Sequence, residues 1–244
     1  MGMVFERSHH QRIARVLESL DGAWLRSQQC WFGGGTAIAM LQGEYRESVD
    51  IDFLVSDLAG YRELRQRLVG ARDLGPLMQP GRAPIALTRE ARADQYGVRT
   101  FLDVEGAAIK FEIVHEGRIA FEAPGRNDRV CGIATLSRTD LAASKLLANA
   151  DRWRDDSVFA RDAIDLAMLD LPPRRLKPAL DKAVGAYGAN IATDMRRALE
   201  GLRQRSGWLR RCIQALSIDL PLAAVQQQLR GLTRRLALAS GVTD

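Results

Sequence analysis

The segment Ser48-Val49-Asp50-Ile51-Asp52-Phe53 constrains this chain more than any other. It reads as part of a strand over residues 48–55, where successive side chains point to opposite faces. Val49, Ile51 and Phe53 are then expected to enter a core, while Asp50 and Asp52 share the other face. Two carboxylates held together repel each other unless a cation lies between them. Oxygen ligands at this spacing suit Mg²⁺ or Mn²⁺, and Mg²⁺ usually takes one or two carboxylates plus substrate phosphates. Taken alone, the segment describes two solvated surface acids at least as well, so its neighbours must decide.

Two neighbours bear on it. Phe32-Gly33-Gly34-Gly35-Thr36 lies between a short strand candidate, residues 29–32, and a helix expected over 37–41. Glycines let the backbone approach a ligand, and a helix start offers N–H groups to phosphate. Thr36 adds a hydroxyl, and no Lys follows, so this is not a Walker loop. The second neighbour is Ile109-Lys110-Phe111-Glu112-Ile113, whose alternation buries the apolar residues and puts Lys110 and Glu112 on the opposite face. If its strand adjoins the Asp50 strand, Glu112 is a third carboxylate of the kind two-metal phosphoryl chemistry uses. Otherwise Lys110 and Glu112 are a surface ion pair, and both readings stand.

Around these segments the hydrophobic period changes once. Residues 9–27 read as one amphipathic helix with Ile13, Val16, Leu17, Leu20 and Trp24 on a face. A second helix is expected over 58–69, with Leu58, Tyr61, Leu64 and Leu68 inward. Residues 70–95 are rich in Gly and Pro and read as irregular, with one short strand at 85–88. Residues 98–104 and 107–114 alternate as a hairpin about Glu105-Gly106, and 129–135 reads as a further strand. From Thr139 onward six helices are expected, over 141–153, 158–169, 176–187, 191–202, 208–216 and 223–239. The fold class is therefore α+β: residues 1–137 form a mixed α/β catalytic domain and 138–244 an all-helical one.

Gly-Gly-Gly-Thr, then Arg46-x-Ser48-x-Asp50-x-Asp52, then a distant strand acid resembles the polymerase-β-type nucleotidyltransferases. Lys145 within Leu141–Ala148, then Asp151-Arg152, then Arg161-Asp162-Ala163-Ile164-Asp165 narrows this, and is similar to the AbiEii/AbiGii and MenT toxins. The resemblance covers about residues 30–170. It implies a nucleotidyltransferase-like mixed sheet flanked by helices, and transfer of an NMP from an NTP to an acceptor in a toxin–antitoxin or phage-defence system. By that likeness Gly34, Gly35, Thr36, Arg46 and Ser48 hold the nucleotide, and Asp50, Asp52 and Glu112 hold metal. Lys145 contacts the triphosphate, and Asp162 or Asp165 completes the active centre with the helical domain. Tyr45 stands where many relatives carry His, which removes no metal ligand. Read without the family, Lys145 borders an apolar stripe, from which its ammonium reaches either a cleft or solvent.

Composition narrows the setting. No apolar run approaches the roughly 18–20 residues that cross a bilayer, which excludes a spanning helix. Residues 1–10 show no secretory signal, and Glu6 stands where N-myristoylation at Gly2 expects Ser or Thr. Cys30, Cys131 and Cys212 are scattered and read as reduced thiols in a cytoplasm. His9-His10 reads as a solvated pair in preference to a metal site. The net charge of +5 is uneven: Arg174 to Arg235 holds 13 Arg and Lys against 4 Asp and Glu, leaving −4 elsewhere. Such a basic helical part suits a polyanion, with Arg196, Arg197, Arg203, Arg205, Arg210 and Arg211 in front, or is a set of solvated helix faces. The acceptor is then tRNA at its 3′ end, another RNA, a protein or a small molecule, and a cognate antitoxin is a further partner. The alternative to an enzyme is a non-catalytic nucleotide- or RNA-binding module on the same fold, but such a module would usually lose one of the three acids.

Overall fold

In the computed structural model, the first helix, α1 (Ser8–Ser19), forms because Ile13, Val16 and Leu17 recur on one buried face. It ends sooner than its apolar period suggests. Leu20 is extended, and the Asp21 carboxylate accepts from the Trp24 N–H at 2.9 Å, capping a separate short helix, α2 (Gly22–Ser27). The structure describes residues 4–241; the Gly2 position weighed above lies outside the described residues. The chain divides into two compact units, one of Met1–Glu44 with Ser48–Ser137 and one of Tyr45–Glu47 with Arg138–Asp244.

The first unit is built on a five-stranded mixed sheet. Its strands are β1 (Cys30–Phe32), β2 (Ile51–Val55), β3 (Leu87–Ala93), β4 (Gly97–Val104) and β5 (Ala107–His115). The spatial order is β1-β2-β5-β4-β3; β2 and β5 run parallel and the other neighbours antiparallel. Ile51, Phe53 and Val55 alternate inward with Ile109, Phe111 and Ile113, and the rings of Phe32, Phe53 and Phe111 follow one another at 5.7 Å, each tilted against the next. Helices α3 (Gly34–Leu41) and α4 (Leu58–Leu68) pack on β2. Asp57 caps α4 by accepting from the Gly60 N–H at 2.6 Å.

Several expectations are corrected here. β2 begins at Ile51, so Asp50 precedes the strand and Val49 is 43% exposed, outside the core. Leu58 opens α4 and is exposed for the same reason, with less than a turn of helix before it to pack. β3 is longer than expected; it is an edge strand with bulges and mostly exposed polar residues, which blurs its period. The strand expected over 129–135 is a miniature hairpin, β6 (Arg129–Val130) and β7 (Ile133–Ala134). Cys131 and Gly132 both take positive φ at its turn, as a two-residue turn of this hand requires.

His10 departs furthest from expectation. It is fully buried, on the same helix face as Ile13, Ala14 and Leu17. The Ser48 N–H donates to Nε2 at 3.2 Å, so the ring proton sits on Nδ1 and is donated to Glu44 Oε1 at 2.8 Å. Glu44 also accepts from the backbone N–H groups of Glu6 and Arg7. Thus the pair that reads as solvated is split, with His9 half-buried and His10 a buried joint between α1 and the approach to β2.

The second unit is helical: α5 (Arg138–Arg152), α6 (Arg161–Met168), α7 (Pro173–Tyr187), α8 (Asn190–Gln204), α9 (Trp208–Ala215) and α10 (Leu222–Ser240). α5 is the hub, packing on α6, α7 and α8, and α10 closes against α6, α7 and α8. Phe159 and Ala160, both left-handed at φ +52 and +49, turn the chain into α6. Each costs about 1–2 kcal/mol without a glycine, so the packing of α6 must offset them.

Burial lowers the His10 imidazole below its ordinary 6.5, and the Glu44 contact offsets only part of that. The unfolded chain therefore takes the proton first. Stability is fully present above the ordinary imidazole value and declines as pH falls from there towards the lowered folded value. Thermal melts across about pH 5 to 8 should show this slope in the wild type and a shallower one in His10→Gln. An unchanged slope in the variant would remove His10 from this role.

Candidate active site

Within the first unit, the glycine loop is seated against the acidic strand. Gly33 is extended, and its N–H donates to the Asp52 carbonyl at 2.8 Å. Gly34 opens α3 at φ +67, a conformation that favours glycine. A Cβ on Gly34 would stand 2.3 Å from Asp52 Oδ2. The loop thus leaves a cradle filled by a carboxylate, beside the first N–H groups of α3, which lie beyond the intrahelical ladder. The Thr36 side chain is fully buried, and its hydroxyl hydrogen-bonds the Asp50 carbonyl at 2.5 Å and the Ser48 hydroxyl at 2.9 Å. Thr36 and Ser48 therefore fix the backbone that carries Asp50.

The register of β2 and β5 sets Asp52 directly beside Glu112 on one face. Glu112 is already engaged: Lys110 lies 2.6 Å and Arg99 3.1 Å from its carboxylate. Among the described residues no three of His, Cys, Asp and Glu are grouped to hold a metal. The carboxylates available to a hard cation are Asp52, at the glycine cradle, and Asp50, two residues before it; both are half-buried, and Mg²⁺ usually takes one or two carboxylates together with substrate phosphates. Glu112 would first have to shed Lys110 and Arg99.

Within the second unit, the remaining residues singled out from the sequence meet in a buried network. Arg46 grips Asp165 with two parallel bonds, Nε to Oδ1 at 2.7 Å and Nη2 to Oδ2 at 2.9 Å. The Tyr45 hydroxyl donates to the same Oδ1 at 2.5 Å. Lys145 Nζ bridges Asp165 at 2.6 Å and Asp162 at 3.0 Å, and Arg152 holds Asp162 through Nε at 2.7 Å and Nη2 at 2.9 Å. Three cations thus face two carboxylates. Burial pushes both carboxyls up, but Arg46 and Lys145 outweigh it at Asp165, and Lys145 and Arg152 at Asp162, so both lie below the usual range.

These positions correct the sequence reading in detail. Lys145 is 6% exposed and does not snorkel to solvent. Arg46 is equally enclosed, and its partner is Asp165. Asp162 and Asp165 both lie in this network, and Lys145 engages both. Tyr45, beside Arg46, supplies a hydrogen bond to this network. The sequence reading missed His10 and Glu44, though the place of His10 on the apolar face of α1 was visible.

The family model of the nucleotidyl transferase AbiEii toxin, type IV toxin–antitoxin system, matches residues 20–230. The chain belongs to this family. It is thus an AbiEii-family nucleotidyltransferase toxin. A candidate nucleotidyltransferase from H. pylori superposes with a TM-score of 0.52 at 15% identity, over 96% of this chain and 94% of its own. JHP933 from Helicobacter pylori superposes with a TM-score of 0.53 at 14% identity, over 98% and 95%. At that identity the likeness shows the fold alone, an α+β nucleotidyltransferase fold. No curated protein matches the chain. No helix among the described residues is long and apolar enough to cross a membrane.

The AbiEii-family network in the second unit has a direct test. Lys145→Ala would leave two buried carboxylates facing each other with one partner fewer, a change that costs about 3–5 kcal/mol. Because the folded carboxyls lie below their ordinary value of 3.8, their contribution is present above that value and lost as pH falls below it. Denaturant unfolding should show Lys145→Ala destabilised by that amount at neutral pH, with a smaller loss of stability on acidification. A cost under about 1 kcal/mol, the range of an exposed pair, would mean the network does not hold this unit together.

Proposed function

We propose that this AbiEii-family protein transfers an NMP from an NTP to the 3′ end of tRNA, with Mg²⁺ or Mn²⁺ held by Asp50 and Asp52. The observation that carries the reading is the Gly34 cradle, where a left-handed glycine makes room for the Asp52 carboxylate at the start of α3. The metal, when bound, would polarise the α-phosphate and lower the pKa of the attacking hydroxyl. The chain's own residues do the rest. Gly34 and Gly35 offer backbone N–H groups at a helix N-terminus, which suits phosphate oxygens. Thr36 and Ser48 hold the Asp50 backbone in place. In the reaction the acceptor hydroxyl oxygen gives its proton to solvent and bonds to the α-phosphorus, the bond to the oxygen bridging the α- and β-phosphates breaks, and the two outer phosphates leave as pyrophosphate.

We assign Glu112, Lys145 and Asp162 supporting roles in that transfer, as the family likeness implies. A cytoplasmic setting and a cognate antitoxin belong to the same proposal. RNA as acceptor is supported by the basic surplus of the helical part and by the setting of Trp153. The guanidinium of Arg154 lies 4.5 Å from the centre of that ring, and that of Arg197 lies 5.8 Å away. Cations interleaved with an aromatic face suit a nucleic-acid backbone and its bases.

Incubation with each α-labelled NTP, Mg²⁺ and total tRNA should label RNA with one or more nucleotides. Asp50→Ala and Asp52→Ala should each cut the rate by about a hundredfold or more, since a lost metal ligand removes several kcal/mol of stabilisation. Near wild-type turnover in either variant would refute the metal assignment. Gel shifts with total tRNA should weaken by roughly 0.7–0.9 log units per phosphate contact for each decade of salt. No shift even at low salt would strike RNA from the acceptors.

A further inference from the structure

The helical unit contains a cavity of about 820 Å³ between α8, α9 and α10; none of its walls belongs to the residues assigned to metal or nucleotide, and four of them, Arg196, Arg203, Arg205 and Arg210, are among the basic residues weighed for a polyanion. Its lining follows one face of α10 at three- and four-residue spacing from Leu222 to Ser240. At 1.5 Å per residue that face is about 27 Å long, five helical turns. The groove has two chemistries. Leu199, Leu202, Leu209, Leu222, Leu229 and Ala237 give it an aliphatic floor. Arg203, Arg210, Arg230 and Arg234 rim it, all exposed and, among the described residues, in no ion pair or side-chain hydrogen bond. Arg205 is held by Asp156 at 2.6 and 2.7 Å, and Glu200 is the one acid in the lining among the described residues.

We propose that this groove docks an acidic amphipathic helix from a protein partner. Helix-in-groove recognition lays an apolar face of anchors at three- and four-residue spacing onto an apolar floor. The length and aliphatic floor of the groove match such a face, and the four arginines match glutamates or aspartates flanking it. Guanidinium groups pair with carboxylates in bidentate fashion, which fixes register as well as affinity. RNA would satisfy the rim but not the floor: among the described residues no aromatic ring lines the groove to stack a base. A second copy of this chain would bring its own arginines to the same place, and like charges repel. The proposal does not depend on the transfer reaction.

The test uses the full chain and a labelled 20-residue helical peptide with leucines at three- and four-residue spacing and glutamates on either flank. Controls are a scrambled peptide of the same composition and total tRNA. Fluorescence anisotropy should show micromolar binding of the amphipathic peptide and at least about tenfold weaker binding of the scramble, the difference a patterned apolar face makes. The Arg203→Gln, Arg210→Gln, Arg230→Gln, Arg234→Gln variant, checked for unchanged melting, should also lose about tenfold or more. Hydrogen exchange should slow along α8, α9 and α10 on binding. Equal binding of the two peptides would mean charge alone is recognised and would overturn the proposal. So would no peptide binding, unaltered affinity in the four-Arg variant, or displacement of the peptide by tRNA that itself depends on those arginines. The scrambled-peptide comparison needs no variant, so it decides even if the substitutions disturb folding.

Discussion

Asp165 is a carboxylate with no exposed surface, and the helical unit is organised around its need for partners. A buried charge is tolerated only when its lone pairs are filled by well-placed donors. Here three residues fill them: Arg46 with a two-pronged grip, Lys145, and the Tyr45 hydroxyl. That demand explains why Tyr45–Glu47, far from α5 and α6 in sequence, belong to the same compact unit. It also explains why α6 is nearly all buried, and why two left-handed residues ahead of it are tolerated. Lys145 then passes the constraint to Asp162 and so to Arg152 at the end of α5. The family's charged helical residues are in this protein a single electrostatic assembly with one surplus positive charge.

The first unit solves a different problem, which is to seat an acid tightly against the start of a helix. Its means are steric. Gly34 removes the Cβ that would strike Asp52, and the Thr36 hydroxyl ties Asp50 and Ser48 to the same turn. Behind Ser48 stands His10, neutral and buried, accepting the Ser48 N–H while giving its own proton to Glu44. A chain of short-range bonds therefore runs from the N-terminal helix to the backbone that carries Asp50. The groups proposed to meet a nucleotide there, a glycine turn and two carboxylates, are braced by the Thr36 and Ser48 hydroxyls and, behind them, by His10 and Glu44.

Much of this was legible in the sequence, because it depends on local period. The alternation of Ile51 with Phe53 and of Ile109 with Phe111 foretold which faces of β2 and β5 enter the core. The Glu105-Gly106 turn foretold the β4–β5 hairpin. That same two-residue turn pairs Val104 with Ala107 and hence Arg99 with Glu112. The Lys110–Glu112 pair was one of two readings from the sequence; the second cation on Glu112, Arg99, was readable by counting back from the turn and was not read. Other features could not be counted. Val49 has the right parity for the core, but the ladder starts two residues later. Burial of Lys145 depends on carboxylates 17 and 20 positions away, which no spacing rule pairs with it. His10 lay on the apolar stripe of α1, yet only the folded chain brings Glu44 to it across 34 positions.

Membership in the AbiEii nucleotidyltransferase family and the seating of Asp52 at the glycine cradle converge on nucleotidyl transfer. The claim is one of bond cleavage between the α- and β-phosphates, and it separates from other phosphate chemistry by where a label goes. The most direct measurement compares the same NTP labelled at the α- or the γ-phosphate, incubated with the protein, Mg²⁺ and acceptor. The account predicts that the α-label becomes acid-stable on the acceptor while the γ-label is released as pyrophosphate. Transfer of the γ-label to the acceptor, or its release as inorganic phosphate with no α-label incorporated, would contradict it.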